Sequence, residues 1–348
     1  MTASVKDVPA LLARLPMPKD LVLPPLRNVG LNGKVTYGNG QTRFSDAKID
    51  LSGVGFDGGF TGSGGYGELL NLAGIVKADV TDMAVLRPYI DQPALDILKS
   101  AKIDGDVAVN GLKFASEKMT ANLRGDGVSV DYTGSADFNE AVSARGRAVI
   151  DIQNPAALAA RMKLDTPYLA ALGQTKGQAD VKVVGTNIAA TNIDVETAGA
   201  DLTASFMGSG GMKDGVISAD GPFTLRADNL AATLKRAQIE QPEIGVLSRV
   251  NATGQLKMLG QAIDVQGFQA SATDGAVNGE FTGTAQYNEV PRLNGRYKID
   301  VPSLSNVDAI LPQDIPYGDM IKRVTLGGNV GFENGVTTLN GTDLSLTE

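Results

Sequence analysis

Residues Val29–Val80 read VGLNGKVTYGNGQTRFSDAKIDLSGVGFDGGFTGSGGYGELLNLAGIVKADV, and this stretch decides the fold. GLNGKVTYG alternates polar and apolar residues, and GNGQ then supplies turn chemistry. A second alternating run, RFSDAKIDLSGVGF, is followed by DGG, a third strand FTGSGGYG and a fourth, LAGIVKADV. Consecutive strands with such short connections predict an antiparallel meander, because parallel neighbours need long crossovers. The pattern then changes. Asp82 is placed to cap a short helix over Met83–Leu86, and Pro88 and Pro93 punctuate a connector.

The same unit returns along the chain. A first glycine recurs in LNGKV, IDGDV, TKGQA, ATGQL and LGGNV at Gly33, Gly105, Gly177, Gly254 and Gly328, in steps of 72, 72, 77 and 74. A second recurs in FTGS, YTGS, FMGS and FTGT at Gly62, Gly134, Gly208 and Gly283. A third falls at Gly74, Gly146, Gly221 and Gly295. Connector leucines Leu12, Leu86, Leu158 and Leu234, with Ile310 next, keep the same period, as do Pro93, Pro167, Pro242 and Pro316. Asn154-Pro155 opens ALAARM, Asp228 or Asn229 precedes LAATLKR, and Ser305 or Asn306 precedes VDAIL, each a helix start.

A period this long means stacked supersecondary units within one array. The expected fold is mostly β: an elongated, repetitive antiparallel sheet curled into a hydrophobic groove, with about four strands and a short connector helix per ~74-residue repeat. The expected organisation is a partial repeat end at 1–28, repeats at 29–100, 101–172, 173–249 and 250–323, and a truncated fifth at 324–348. PALLARLP at Pro9–Pro16 matches VDAILP at Val307–Pro312, so the sequence is expected to be a segment of a longer protein. Any anchor or targeting signal would then lie outside it.

Side chains alternate between the two faces of a strand, so the repeat lets each face be read several times. Two positions after the first glycine stand Val35, Val107, Ala179, Leu256 and Val330; four positions after it stand Tyr37, Val109, Val181, Met258 and Phe332. All ten are apolar. The fourth strand adds Val76, Ala148, Phe223 and Tyr297, then Ala78, Ile150, Leu225 and Ile299. The intervening positions are mostly polar, with Lys77, Arg147, Thr224 and Lys298 on the fourth strand. These eighteen apolar residues are the expected lining of a groove. Four repeats of four strands at ~4.8 Å per strand predict a sheet on the order of 75 Å long, too long for short helices to cover. Twist would roll the apolar face inward.

Two readings of that face stand side by side: a structural array whose own side chains fill its interior, or a groove that shelters acyl chains. Exposing ~15 methylenes to water costs on the order of 12 kcal/mol at ~0.8 kcal/mol per CH₂. Valine and alanine leave room for such a guest.

The glycine-marked strands (LNGKVTY, IDGDVAV), the FTGS-type strand and the connector leucines ahead of proline resemble the AsmA-like family, the AsmA and TamB group of Gram-negative envelope proteins. The likeness spans essentially the whole chain and is nearest to the repeated C-terminal regions of that family. It implies a periplasmic β-rich body, anchored in the inner membrane through a segment outside this sequence. It further implies an apolar groove that carries phospholipid or another acyl-chain lipid and serves outer-membrane biogenesis, with inner- and outer-membrane components as partners. It supplies no catalytic residues, cofactor or metal, and a monomer is expected.

Composition narrows the alternatives. Glycine contributes 42 of 348 residues, aromatics are 5% and tryptophan is absent, which suits closely spaced strands with small side chains. A net charge of −8 disfavours nucleic acid. Without cysteine or histidine there is no disulfide, no thiol chemistry and no usual general base or commonest metal ligand. No run approaches 18 apolar residues, and no basic-then-apolar signal opens the sequence. GSGGYG at Gly62–Gly67 and GVGFDG at Gly53–Gly58 fit G-x-G-x-x-G but lie in strand-turn-strand context, where a dinucleotide site needs a βαβ unit. Ser45-Asp46-Ala47-Lys48 fits S-x-x-K without its companion motifs. Lys235 and Arg236 suit a helix C-terminus. A secreted β-solenoid passenger would repeat every ~20–30 residues, and a transmembrane barrel would show aromatic girdles and no amphipathic connectors. The leading expectation is a non-enzymatic lipid conduit; the alternative is a structural or adhesive array without a lipid cargo.

Overall fold

A computed structural model describes residues 2–5, 26–87, 96–162, 166–239, 247–273, 275–303 and 323–347. The expected helices at Pro9–Pro16 and Val307–Pro312, with Leu12 and Ile310, lie outside these residues, as do Pro88, Pro93, Pro242 and Pro316. The chain is mostly antiparallel β and divides into two compact units, 1–152 with 161–163 and 178–188, and 153–160 with 164–177 and 189–348.

In the first unit the strands are β1 (Thr2–Val5), β2 (Leu26–Gly38), β3 (Gln41–Gly53), β4 (Phe56–Tyr66), β5 (Leu70–Val80), β6 (Leu98–Asn110), β7 (Lys113–Gly125), β8 (Val128–Asn139) and β9 (Ala141–Ile152). Each pairs antiparallel with the next. β10 (Gln174–Val184) and β11 (Asn187–Ala198) follow in sequence. In the second unit β12 (Leu202–Lys213), β13 (Val216–Ala227), β14 (Arg249–Leu259), β15 (Ala262–Thr273), β16 (Asn278–Asn288), β17 (Val290–Val301), β18 (Arg323–Glu333) and β19 (Val336–Thr347) form the same kind of meander.

Local chemistry explains the turns. Asn39-Gly40, Asp214-Gly215 and Asn334-Gly335 all have positive φ at both residues, the backbone that a two-residue hairpin matching strand twist requires. The connectors start on the expected caps. Asp82 accepts a hydrogen bond from the Ala84 amide (3.0 Å) ahead of a 3-10 turn at Met83–Leu86. Asn154 accepts from the Ala157 amide (2.9 Å) ahead of α1 (Pro155–Arg161). Asn229, rather than Asp228, accepts from the Ala232 amide (3.0 Å) ahead of α2 (Leu230–Arg236).

A β-bulge recurs that strand alternation alone did not predict. In β3 the ladder to β2 slips between Asn32 and Lys34, where Asp46 takes φ 52°. Asn192 in β11, Gly267 in β15 and Gly341 in β19 repeat that conformation, at φ 51°, 57° and 59°. The ladders β14–β15 and β18–β19 slip opposite Gly254 and Gly328. Bulges add local twist and bend the strand.

A sheltered apolar face as the candidate functional site

Residues directly opposite across a ladder share a face, so register traces that face through each unit. In the first unit Val35, Phe44, Gly64, Leu72, Val109, Phe114, Phe138 and Val142 form one unbroken row across β2–β9. A second runs Val29, Leu51, Gly58, Ala78, Ile103, Ala121, Tyr132 and Ala148, and a third Leu26, Gly53, Phe56, Val80, Ala101, Leu123, Val130 and Ile150. In the second unit Leu202, Ala227, Val250, Ala272, Gly279, Ile299, Leu326 and Leu344 do the same across β12–β19.

The opposite face is wet. Asp50, Gly59, Lys77, Asp104, Thr120, Thr133 and Arg147 follow one another across the same strands. Ion pairs Lys77–Asp104 (3.0 Å) and Lys102–Asp79 (3.1 Å) lie on it. The concavities of 640 and 630 Å³ also open there, lined for example by Arg292 and Asn294, and by Lys77 and Asp104. Polar side chains dominate their walls, although Leu293 and Phe332 also line the first and Ala78 and Ile103 the second.

Burial shows that the apolar side is the sheltered one. Along β5 and β17 half-buried and exposed residues alternate, with the apolar rows always the less exposed. Within a single layer of strands, that asymmetry means the sheet curls towards its apolar side. Yet among the described residues no large side chain is fully buried. One margin is closed locally. Met83 packs with Val80 and Ala101 in the first unit, and in the second Ala171, Leu202, Ala227 and Ala237 cluster with Leu230 of α2. The hairpin-tip margin is open, with Tyr37 79%, Tyr66 61% and Leu259 65% exposed.

Glycine shapes the floor. Gly62 faces Gly74, Gly134 faces Gly146 and Gly283 faces Gly295 across their ladders. A Cβ on Gly62 would stand 2.7 Å from Gly74 Cα, and on Gly283 2.6 Å from Gly295 Cα. The aromatic two residues earlier lies over the pair: Phe60 Cζ is 2.8 Å from where a Gly62 Cβ would be, and Phe281 Cζ 2.7 Å from that of Gly295. Tyr132 reaches over Gly134 and donates its hydroxyl hydrogen bond to the Ser135 carbonyl (2.6 Å). Burial pushes that phenol's pKa up. Aromatic cover of a glycine is a known device for holding a kinked sheet.

The expected lining residues are distributed as follows. Val35 and Val109 share one row, Ala78 and Ala148 another, and Ile150 a third. Val76 is opposite Phe60, and Val107 opposite Gly74. Ala179 and Val181 are half-buried positions of β10, alternating with exposed Asp180 and Lys182. In the second unit Leu225 and Tyr297 lie on one row with Ala252, Ala270 and Phe281, and Ile299 lies on the Leu202 row. Leu256 and Phe332 share a row through Val265, Ala285 and Leu293, with Met258 beside it. Phe223 is opposite Gly254 and Val330 opposite Gly295. Val35, at 44% exposed, and Tyr37 lie towards the hairpin-tip margin. Sequence reasoning missed Phe60, Tyr132 and Phe281. The signal was the aromatic placed two residues before each second-series glycine.

Four clusters of charge fasten strand ends. Lys99 and Arg161 bind Asp126, Arg226 and Arg249 bind Asp228, Arg323 and Thr325 bind Asp300, and Arg236 binds Asp201. The first three carboxyls titrate below the ordinary 3.8, chiefly through their hydrogen bonds to Lys99, Arg226 and Arg323 respectively. Asp106 does likewise, chiefly because it accepts from the Lys118 amide (2.6 Å) at the β7 bulge. Asp106 and Asp300 also accept from the Ser116 and Thr325 hydroxyls, at 3.2 and 3.3 Å. Among the described residues no three acidic side chains gather as metal ligands, and no helix is long and apolar enough to cross a membrane. The G-x-G-x-x-G stretches fall in β4 and the β3–β4 turn, and Ser45 and Lys48 in β3, outside any strand–helix phosphate cradle.

No family model, curated protein or solved structure matches the chain.

Proposed function

We propose that this protein is a non-enzymatic carrier of acyl-chain lipid, a periplasmic phospholipid conduit of AsmA-like type serving outer-membrane assembly and homeostasis. The observation that carries this reading is the set of unbroken apolar rows, sheltered from one side and with no large side chain of the described residues fully buried. Eight strands at ~4.8 Å span about 34 Å along a row, longer than one leaflet of a bilayer whose hydrocarbon core is ~30 Å thick. A guest chain would find apolar contact at every strand, and its ~0.8 kcal/mol per methylene would stay out of water. Phospholipid fits because its head can remain at the open margin while its tails lie on the rows. An inner-membrane anchor outside this sequence belongs to the same reading.

The test is lipid extraction from gently purified protein followed by mass spectrometry, with transfer between donor and acceptor vesicles. Retained phospholipid is expected, and Val109→Asp or Ile150→Asp abolishes retention while circular dichroism stays unchanged. Absence of lipid from the unaltered protein overturns the proposal. The alternative, a structural array without cargo, draws on the rings of Phe60, Tyr132 and Phe281, which occupy part of the floor themselves. It predicts that the unaltered protein carries no lipid and that both aspartate variants lose stability instead.

A further inference from the structure

The turns that close β4–β5 and β6–β7 carry leucines where hairpin turns favour small or polar residues. Gly67-Glu68-Leu69 joins the first pair of strands and Gly111-Leu112 the second. In the other two-residue turns that follow a first-glycine strand, the place of Leu112 is held by Gly40, Thr186, Gln261 and Gly335. Leu112 is 91% exposed, Leu69 56% and Leu70 38%, with Tyr66 beside them at 61%. Strands β4 to β7 are each paired on both sides, so no missing neighbour accounts for this exposure.

The four side chains form one protruding patch. Tyr66 is opposite Leu70, one step outside Gly64 and Leu72 of the first apolar row. The Gly111 amide donates to the Leu70 carbonyl (2.8 Å), which ties the second turn to the first. Leu69 Cδ2 lies 3.3 Å from where a Gly111 Cβ would be, so its side chain rests on that turn. The two turns and the residues flanking them carry two charges, Glu68 and Lys113, which cancel.

Size and charge select the occupant. A specific protein interface takes about 20–30 residues from each side, and two turns fall far short of that. A bilayer sets no such threshold: each leucine that enters the boundary between headgroups and tails counts by itself, and tyrosine favours that level. With the patch neutral and the chain at −8, anionic headgroups offer no attraction. We propose that Leu69, Leu70 and Leu112, with Tyr66, dock this margin onto a zwitterionic bilayer surface. The patch continues the apolar row, so a docked bilayer meets the sheltered face directly, but docking itself needs no cargo.

The probe is the whole chain mixed with phosphatidylcholine vesicles, and flotation in a sucrose gradient reads docking. The parent is expected to float, with partitioning that added salt leaves within twofold. Leu69→Asp with Leu112→Asp lowers partitioning at least tenfold. Leu112→Asn, a residue that suits turns, lowers it at least threefold, and Thr186→Asp at the corresponding turn leaves it unchanged. Circular dichroism checks that each variant is folded. Failure of the parent to float, equal flotation of parent and both leucine variants, or flotation on phosphatidylglycerol vesicles alone would each overturn the proposal. So would a dimer in sedimentation that Leu112→Asn abolishes while no form of the protein floats. Protein that floats yet yields no extracted lipid defeats the conduit reading alone, and protein that retains lipid without floating defeats docking alone.

Discussion

Gly62→Ala tests whether the paired glycines are demanded by close approach or merely tolerated. Gly62 has no positive φ, so its backbone accepts alanine, and the reduced entropy of the unfolded chain alone would stabilise by about 0.4–1 kcal/mol. Opposing this, the new Cβ stands 2.7 Å from Gly74 Cα, 2.8 Å from Phe60 Cζ and closer still to the Ala73 carbonyl oxygen. The ring can turn away, but the backbone atoms belong to the facing strand. Relief therefore requires β4 and β5 to separate locally, and overpacking of this kind costs typically 1–3 kcal/mol. The net expectation is destabilisation by about 1–2 kcal/mol, a roughly 5–30-fold faster exchange of β4 and β5 amides that open with the unit. Gly331→Ala in β18 is the control. Nothing stands within 4 Å of its Cβ position, so the entropy term acts unopposed and the variant is neutral or slightly more stable. Urea unfolding and amide exchange on both variants decide the matter. If Gly62→Ala matches Gly331→Ala within about 0.5 kcal/mol, the spread expected of an unconstrained surface change, the account of the groove floor is wrong.

Asn229→Ala removes the side-chain acceptor for the Ala232 amide and should cost about 1 kcal/mol, read as a lowered urea midpoint with the slope retained. Acid should weaken the fold in a defined window. Asp126, Asp228 and Asp300 bind protons less readily folded than unfolded, so their stabilisation is complete above the ordinary 3.8 and disappears as pH falls through their lower folded values. Thermal midpoints should thus be level near neutrality and drop below about pH 4, and Asp228→Asn should make that drop shallower.

Much of the architecture was legible because the repeat multiplies a weak signal. One alternating run such as LAGIVKADV is ambiguous, but polar and apolar positions that recur after Gly33, Gly105 and Gly254 fix which face is dry. Caps at Asp82, Asn154 and Asn229 were equally local, hence readable. Register was not local. The second and third glycine series read as separate markers of the period, whereas Gly62 with Gly74 and Gly283 with Gly295 are single cross-strand pairs. The ring over each pair follows from that register, so it stayed hidden too. Val35 lies opposite Phe44 on the apolar row of β2 and Tyr37 beyond it towards the hairpin tip, and alternation is silent on how exposed each position is. Bulges were the nearest miss. Asp46, Asn192, Gly267 and Gly341 are residue types that tolerate positive φ, and they recur with the repeat, although no motif marks them.

The recurring bulge offers a way to separate curl from stability. With Asp46 deleted, Ser45 precedes Ala47 directly, and Phe44, Ala47, Ile49 and Leu51 fall into plain alternation on the apolar side. Gly33 then faces Ala47 between the existing pairs Lys34–Ser45 and Asn32–Lys48. No side chain changes face, so the packing that a register slip would invert is preserved. The left-handed residue vanishes, relieving about 1 kcal/mol. The exposed Lys34–Asp46 ion pair (3.5 Å), worth at most ~1 kcal/mol, vanishes with it. The two effects nearly cancel, so the unfolding midpoint should barely move. What is lost is the bend that buries Ala47 to 0% exposure. Exchange at the β2–β3 amides should stay slow while retained phospholipid falls, because the face flattens without unfolding. Unchanged lipid retention in the stable deletion variant would mean that the shelter comes from elsewhere, and collapse of β2–β3 would mean that the bulge holds the ladder together rather than bending it.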